Sequence, residues 1–292
     1  MQLKPCLSLE GMIKDILVHI PTERPMRPAI DASISLAAAF GAHLDAVALG
    51  YVSTGAIAYA FDGGAANAVA AVFKREQEKA ADRAATALSV FETEARHAGI
   101  SYECRPVIDI PADAAASIGA AARLYDLSVV LQPQADLQTF ENKIPTEILL
   151  QAGGPVLFIP YISHGAFKAK RVGICWDGSR LAARALKDAR PFMTKADALV
   201  AISINGADSV PPDTSPEKLT EHMARVGLPM RRINLPAARP EIQPSILSIA
   251  ADEGLDMLVM GAYGHSPLQE GILGGVTREM LHTMTVPTLM SH

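Results

Sequence analysis

Short apolar runs recur along the chain, and stretches with helical spacing separate them. In the first half the runs are "DILVHIP", "HLDAVALGY", "SYECRPV", "LSVVLQ" and "GPVLFIP". In the second they are "RVGICWDGS", "DALVAISIN", "PMRRINL", "MLVMGA" and "VPTLMSH". Between runs the period changes. Leu181, Ala185, Ala189 and Phe192 fall at spacings of four, four and three, which is one face of a helix. Ile30, Ile34, Ala37 and Phe40 do the same in the first half, and Gly41 follows as a C-cap. Continuous apolar strands alternating with helices predict a parallel sheet covered on both faces.

The ten runs form two series of five in matching order, so the chain reads as two copies of one unit. Pro21 aligns with Asp177 and Asp126 with Asp256. The first copy is therefore longer between these points, and the surplus lies in "STGAIAYAFDGGAANAVAAVF" and the charged helical stretch after it. This segment is either the wall or lid of a separate ligand site or an alanine-rich packing helix. The predicted fold class is α/β, two tandem open five-stranded parallel-sheet sandwiches. The units span residues 1–162 and 163–292, with "YISHGAFKAK" from Tyr161 to Lys170 as the linker. The final strands "GPVLFIPY" and "VPTLMSH" are expected to pair within the chain as a pseudo-dimer, which covers edges otherwise open to aggregation.

Composition narrows the functional classes. Of 292 residues, 49% are hydrophobic and 20% charged, as in a soluble globular protein and unlike a disordered one. A net charge of -5 offers no footprint for nucleic acid or an acidic membrane surface. No stretch has the roughly 18 apolar residues of a membrane span, and the start lacks a signal-peptide core, so a cytoplasmic location is expected. Cys6, Cys104 and Cys175 have neither disulfide-framework nor zinc-site spacing.

The densest chemical signal is "GAYGHSPLQEGILGGVTREM", Gly261 to Met280. It starts where the run "DMLVM" ends, and ligands of open parallel sheets bind beyond the carboxyl ends of strands. Its last part reads as a helix start, where unpaired N–H groups and a partial positive charge favour phosphate and glycine lets it approach the backbone. No phosphate-loop GxxxxGK[ST], no HExxH and no GxSxG elbow is present, although Ser266 stands beside His265. Arg278 reads as a surface charge. Nothing in the chain predicts nucleophilic or metal catalysis.

Gly261-x-x-Gly264, nine residues, then Gly274 resembles the motif of nucleotide-binding members of the universal stress protein family. "VGICWDGS" resembles that family's first strand with its terminal aspartate. The resemblance covers both halves and implies a Rossmann-like, adenine nucleotide alpha hydrolase-like fold, with ATP (or ADP or AMP) in the second half and Mg2+ accompanying it. Slow ATP hydrolysis is the most it implies as an activity. Carried over residue by residue, Asp177, at the strand end with Cys175 and Trp176, meets the ribose or adenine. Ile204 offers its backbone to the adenine edge. Met260, Gly261 and Gly264 line the ribose and first phosphates, with His265 beside them, and Gly274, Gly275, Val276 and Thr277 hold the outer phosphates. Asp177 alone also reads as a turn residue ahead of a helix capped by Ser179. Gly275 departs from the motif, which usually has Ser or Thr there. A lost hydrogen bond to a charged group is worth roughly 1.5–3 kcal/mol, so weakened binding is expected.

The first half has Pro21, Leu131 and Gln134 where the second has Asp177, Gly261 and Gly264, and Lys143, Ile144 and Pro145 where it has Gly274, Gly275 and Val276. Pro145 lacks an N–H, and Asp136 and Glu141 add negative charge nearby. This half is expected not to bind nucleotide, and the glycines of the second half are expected to serve ligand more than fold. Two functions follow: a stress-response or regulatory module binding adenine nucleotide, with a further homodimer as an option, or a scaffold of the same fold that binds a partner or apolar ligand without nucleotide.

Overall fold

A computed structural model of the chain describes residues 13–51, 66–206, 210–262 and 275–292. Its ten strands are β1 (Asp15–Ile20), β2 (His43–Tyr51), β3 (Tyr102–Asp109), β4 (Leu127–Leu131), β5 (Val156–Ile159), β6 (Arg171–Cys175), β7 (Ala198–Ile204), β8 (Arg231–Leu235), β9 (Met257–Gly261) and β10 (Thr288–Ser291). They join in a single sheet of order β3-β2-β1-β4-β5-β10-β9-β6-β7-β8. Each half is a parallel five-stranded sheet, as the paired runs predict. The halves meet edge to edge where β5 and β10 run antiparallel, Leu157 opposite Leu289 and Phe158 opposite Thr288. The expected pseudo-dimer pairing of the last strands is thus present.

The described helices are α1 (Arg27–Phe40), α2 (Ala66–Ala98), α3 (Pro111–Ala121), α4 (Ile144–Gln151), α5 (Arg180–Asp188), α6 (Arg190–Met193), α7 (Pro216–Arg225), α8 (Ile242–Asp252) and α9 (Gly275–Thr283). Gly41 ends α1 in the left-handed conformation at φ 60°, where glycine avoids the Cβ penalty. The face predicted through Leu181, Ala185, Ala189 and Phe192 is buried. It is not one helix, however: α5 stops at Asp188 and α6 restarts at Arg190, with Pro191 in its first turn. Of the surplus segment, residues 66–73 belong to α2 as an alanine-rich helix, and 52–65 lie outside the described residues.

Each face of the sheet carries a core that runs through both halves. One gathers α1 and α2 residues such as Leu36 and Phe91 with Ala185 and Phe192 of α5 and α6. The other gathers Ile118 and Ile148 of α3 and α4 with Ile249 and Met280 of α8 and α9. Across the first core, the Phe192 ring meets the edges of Phe40 and of the linker residue Phe167 at centroid distances of 5.4 and 5.9 Å. Aromatic pairs at such geometry add to the area they bury. Lys195 lies 3.8 Å above the Phe40 ring and donates from Nζ to the Ala39 carbonyl at 2.8 Å. The linker is held too, since Phe167 N–H donates to Ser35 Oγ at 2.9 Å.

The outermost strands are the polar ones. Half of β3 and four of the five residues of β8 are exposed, including Arg105, Arg231 and Arg232, and Pro106 removes one ladder donor from β3. Charge and proline on edge strands discourage further strand addition. Phe192→Ala removes the ring through which α1, the linker and α6 meet, and should cost about 3–5 kcal/mol. Urea denaturation followed by circular dichroism checks this, and a loss below about 1 kcal/mol would contradict the packing role.

Candidate functional site

The carboxyl ends of β6, β7 and β9 are adjacent in the sheet, because β6 pairs with both β7 and β9. Strand order reverses between β6, from which the chain crosses outward to β7, and β9, the kind of place where open parallel sheets take ligands. β9 and β10 are parallel neighbours joined through α9, which brings the N-terminus of α9 back to this same end.

After β6 the chain turns sharply into α5. Trp176 is anchored three ways: its N–H donates to the Ile202 carbonyl, its carbonyl accepts from Ser203 Oγ, and its indole Nε1 donates to the Thr214 carbonyl, each at 2.8 Å. The indole is thus fixed in place and only 9% exposed. Asp177 is exposed, and its Oδ1 accepts the Ser179 N–H at 2.9 Å. Ser179 Oγ in turn accepts from Ala182 N–H at 3.1 Å as N-cap of α5. The turn reading of Asp177 is therefore correct as far as one carboxylate oxygen goes. Gly178 has φ 71°, and a Cβ there would stand 2.6 Å from Val210 Cγ1, so both backbone and space require glycine. Cys175 lies beneath this turn. Burial first, and the Asp177 carboxylate second, push its thiol up to about 12, which keeps it protonated and inert as a nucleophile at neutral pH.

Ile204 ends β7 half-buried. Beyond it comes Asn205, with φ 57°, the one non-glycine residue among those described with positive φ. Its side chain clamps Ala237, donating to the carbonyl at 2.7 Å and accepting the N–H at 2.8 Å. The backbone beside Ile204 is fixed by this amide, which the sequence reading missed. The Asn-Gly pair after an apolar run was its signal, because Asn tolerates the left-handed region.

Met260 is buried at the end of β9, and Gly261 abuts the first turn of α5. A Cβ on Gly261 would lie 2.6 Å from both Ala182 N and Leu181 C. This corrects the expectation that these glycines serve ligand more than fold: Gly261 is required by the approach of α5 to β9. Leu131 is tolerated at the matching place because the first half has a longer loop between its first strand and α1, which starts only at Arg27. Gly275 behaves differently. It opens α9, and among the described residues a Cβ there would meet nothing closer than Glu279 Oε1 at 4.0 Å. Val276 is half-buried beside it and Thr277 buried. The first N–H groups of α9 have no partner within the helix and bear its positive end. The structure thus brings Cys175, Trp176, Asp177, Ile204, Met260, Gly261, Gly275, Val276 and Thr277 to one end of the sheet. Gly264, His265 and Gly274 lie outside the described residues.

The matching end of the first half is closed. Leu131, Gln132 and Pro133 are buried, Asp136 is exposed, and Glu141 is fully buried against Arg24. His19, at the end of β1, is also fully buried; desolvation first, then the Arg24 charge, lower its pKa from 6.5 to about 3. Among the described residues no group of three or more His, Cys, Asp or Glu side chains is placed to hold a metal ion, and no helix is long and apolar enough to cross a membrane.

The fold is that of an open α/β protein whose two tandem five-stranded parallel halves join in one sheet. Residues 237–292 match the model of the universal stress protein family. The whole fold matches a universal stress protein from Archaeoglobus fulgidus DSM 4304, 15% identical, with a TM-score of 0.68 over 94% of this chain and 97% of that one. A functionally unknown protein from Pseudomonas aeruginosa PAO1, also 15% identical, matches with a TM-score of 0.62 over 97% of this chain and 93% of its own. A universal stress protein in complex with cAMP matches 51% of this chain and 98% of its own, at 22% identity and a TM-score of 0.30. No curated protein matches the sequence.

Two glycines of one motif should respond oppositely to a methyl group. Gly261→Ala drives Cβ into the backbone of α5 and should cost about 1–3 kcal/mol, whereas Gly275→Ala should stay within about 0.5 kcal/mol of the parent in thermal or urea unfolding. Equal costs would refute the distinction. A pH effect follows from His19. Because its folded pKa lies below its unfolded value, its contribution is intact above pH 6.5 and is lost as pH falls from there through about 3. Stability should fall by up to about 1.4 kcal/mol per pH unit within that window. His19→Met should flatten that limb in urea titrations at stepped pH.

Proposed function

We propose that the second half binds ATP or a related adenine nucleotide at this end of the sheet and that the protein acts as a cytoplasmic stress-response or regulatory module. The division into a first domain, 1–162, and a nucleotide-binding domain, 163–292, is part of this reading. The observation that carries it is the meeting of Asp177, the Gly261 strand end and the N-terminus of α9 at one end of adjacent strands. The Asp177 turn leaves the second carboxylate oxygen for a ribose hydroxyl. The carbonyl and N–H around Ile204 lie beside the rigid Asn205 clamp and can read the adenine edge, with Trp176 as the wall beneath. The α9 N-terminus, Gly275 to Thr277, together with Gly274, Gly264 and His265, receives the phosphates, whose charge suits a helix start. Mg2+, if it accompanies the nucleotide, comes with the phosphates. Catalysis is no part of this reading beyond slow hydrolysis.

Titration calorimetry with ATP and ADP tests the proposal, and an absence of heat with both at millimolar concentration would end it. Gly275→Ser places a hydroxyl where no described residue crowds it and should tighten ATP binding about tenfold or more, as expected for one hydrogen bond to a charged group. Asp177→Asn preserves the acceptor for Ser179 N–H while removing the charge, so it separates ligand contact from turn formation; it should weaken binding with stability unchanged. Gly261 variants are unsuited to this purpose, since they perturb α5 whether or not ligand binds.

A further inference from the structure

The closed end of the first half contains a charged centre that the nucleotide reading of the second half neither uses nor needs. The carboxylate of Glu141 is wholly inside the protein, as is the Arg24 side chain. Glu141 Oε1 accepts the Thr22 N–H at 2.6 Å and lies 2.8 Å from Thr22 Oγ, whose proton is shared with the Leu49 carbonyl at 3.1 Å. Glu141 Oε2 accepts the Glu23 N–H at 3.2 Å and faces Arg24 Nε at 3.5 Å. Arg24 is itself aimed by donating from Nη1 to the Gln132 carbonyl at 2.7 Å. Two backbone N–H groups, a hydroxyl and a guanidinium around one oxyanion form an anion cradle.

The second half shows what this cradle corresponds to. There the loop after the first strand turns its Ser179 N–H onto its own Asp177 carboxylate. In the first half Pro21 stands at that place and has no acceptor, and the amides of Thr22 and Glu23 go instead to Glu141. Glu141 comes from the turn Phe140–Asn142 just before α4, the segment that corresponds to the residues preceding α9. That turn is rigid. Asn142 Nδ2 donates to the carbonyls of Gln134 and Leu137 at 2.8 and 2.6 Å, and its Oδ1 accepts the Gln134 N–H at 2.9 Å. Thr139 Oγ accepts the Glu141 N–H at 3.2 Å and donates to Glu23 Oε2 at 2.6 Å, and the Tyr51 hydroxyl donates to the same Glu23 oxygen. Arg24 Nη2, both ring nitrogens of His19 and the Gln132 amide are buried with no hydrogen-bond partner among the described residues. A lost site filled for packing alone would be apolar, since a buried charge is costly unless paired and hydrogen-bonded.

We propose that the first half retains an oxyanion-binding site whose resident ligand is the chain's own Glu141 carboxylate, and that a free carboxylate or phosphate binds the same donors when that side chain is removed. The site is self-liganded, which keeps other anions out and ties the Thr22–Arg24 loop to the turn before α4.

The test uses the full chain with Glu141→Ala, followed by thermal unfolding in formate, acetate or inorganic phosphate against chloride at equal ionic strength. The expected result is a saturable rise in Tm with at least one oxyanion, absent in the parent protein. Rescue by formate or acetate alone identifies a carboxylate site, and rescue by phosphate identifies a wider oxyanion site. A folded Glu141→Ala protein indifferent to all three overturns the proposal. Should that variant fail to fold, Glu141→Gln keeps the shape but sets an amide N–H against donors. Hydrogen exchange of the Ile20–Arg27 segment should then accelerate about tenfold or more, and exchange at the parent rate overturns the proposal as well.

Discussion

The antiparallel pairing of β5 with β10 is the contact on which the rest of the molecule depends. Each half ends in a strand whose outer edge would otherwise expose a row of N–H and C=O groups beside apolar side chains, an arrangement that invites aggregation. Joining the two edges satisfies both. Val156, Leu157, Phe158, Leu289 and Met290 are consequently 0% exposed, and the two cores become continuous across the joint on both faces of the sheet. Polar positions and arginines are then needed only at the far strands β3 and β8.

That joint also orients the two sets of strand ends, and the chain treats them unequally. In the second half a short turn, Trp176 to Ser179, holds α5 so near β9 that only glycine fits at 261. In the first half a longer loop leaves room for Leu131, and the opening is closed from within by Glu141 and Arg24. The two halves of one architecture thus differ in loop length and in which carboxylate meets the loop after the first strand. The buried, neutral His19 gives the closed half its sensitivity to acid.

Much of this was legible from pattern. Apolar runs with a change of period gave the ten strands and most helices, and their order gave the duplication, because strand and helix periodicities are local properties of the chain. The ending of Gly261 at a strand and the opening of a helix near Gly275 were equally readable, as was the loss of the motif in the first half. The break at Ala189 was not: Pro191 signals it, but the buried face runs on without interruption through both helices.

The sequence by itself determined the element types and the tandem repeat, since these follow from local spacing and from the chirality of parallel crossovers. Tertiary structure alone decided which residues serve which purpose. Gly261 is bound to the fold by a helix distant in sequence, while Gly275 has no such close neighbour among the described residues. Asn205 clamps Ala237, and Glu141 meets Thr22 and Arg24 across more than a hundred residues. Such partners are set by distances in space, which no local pattern of hydrophobic and polar positions encodes.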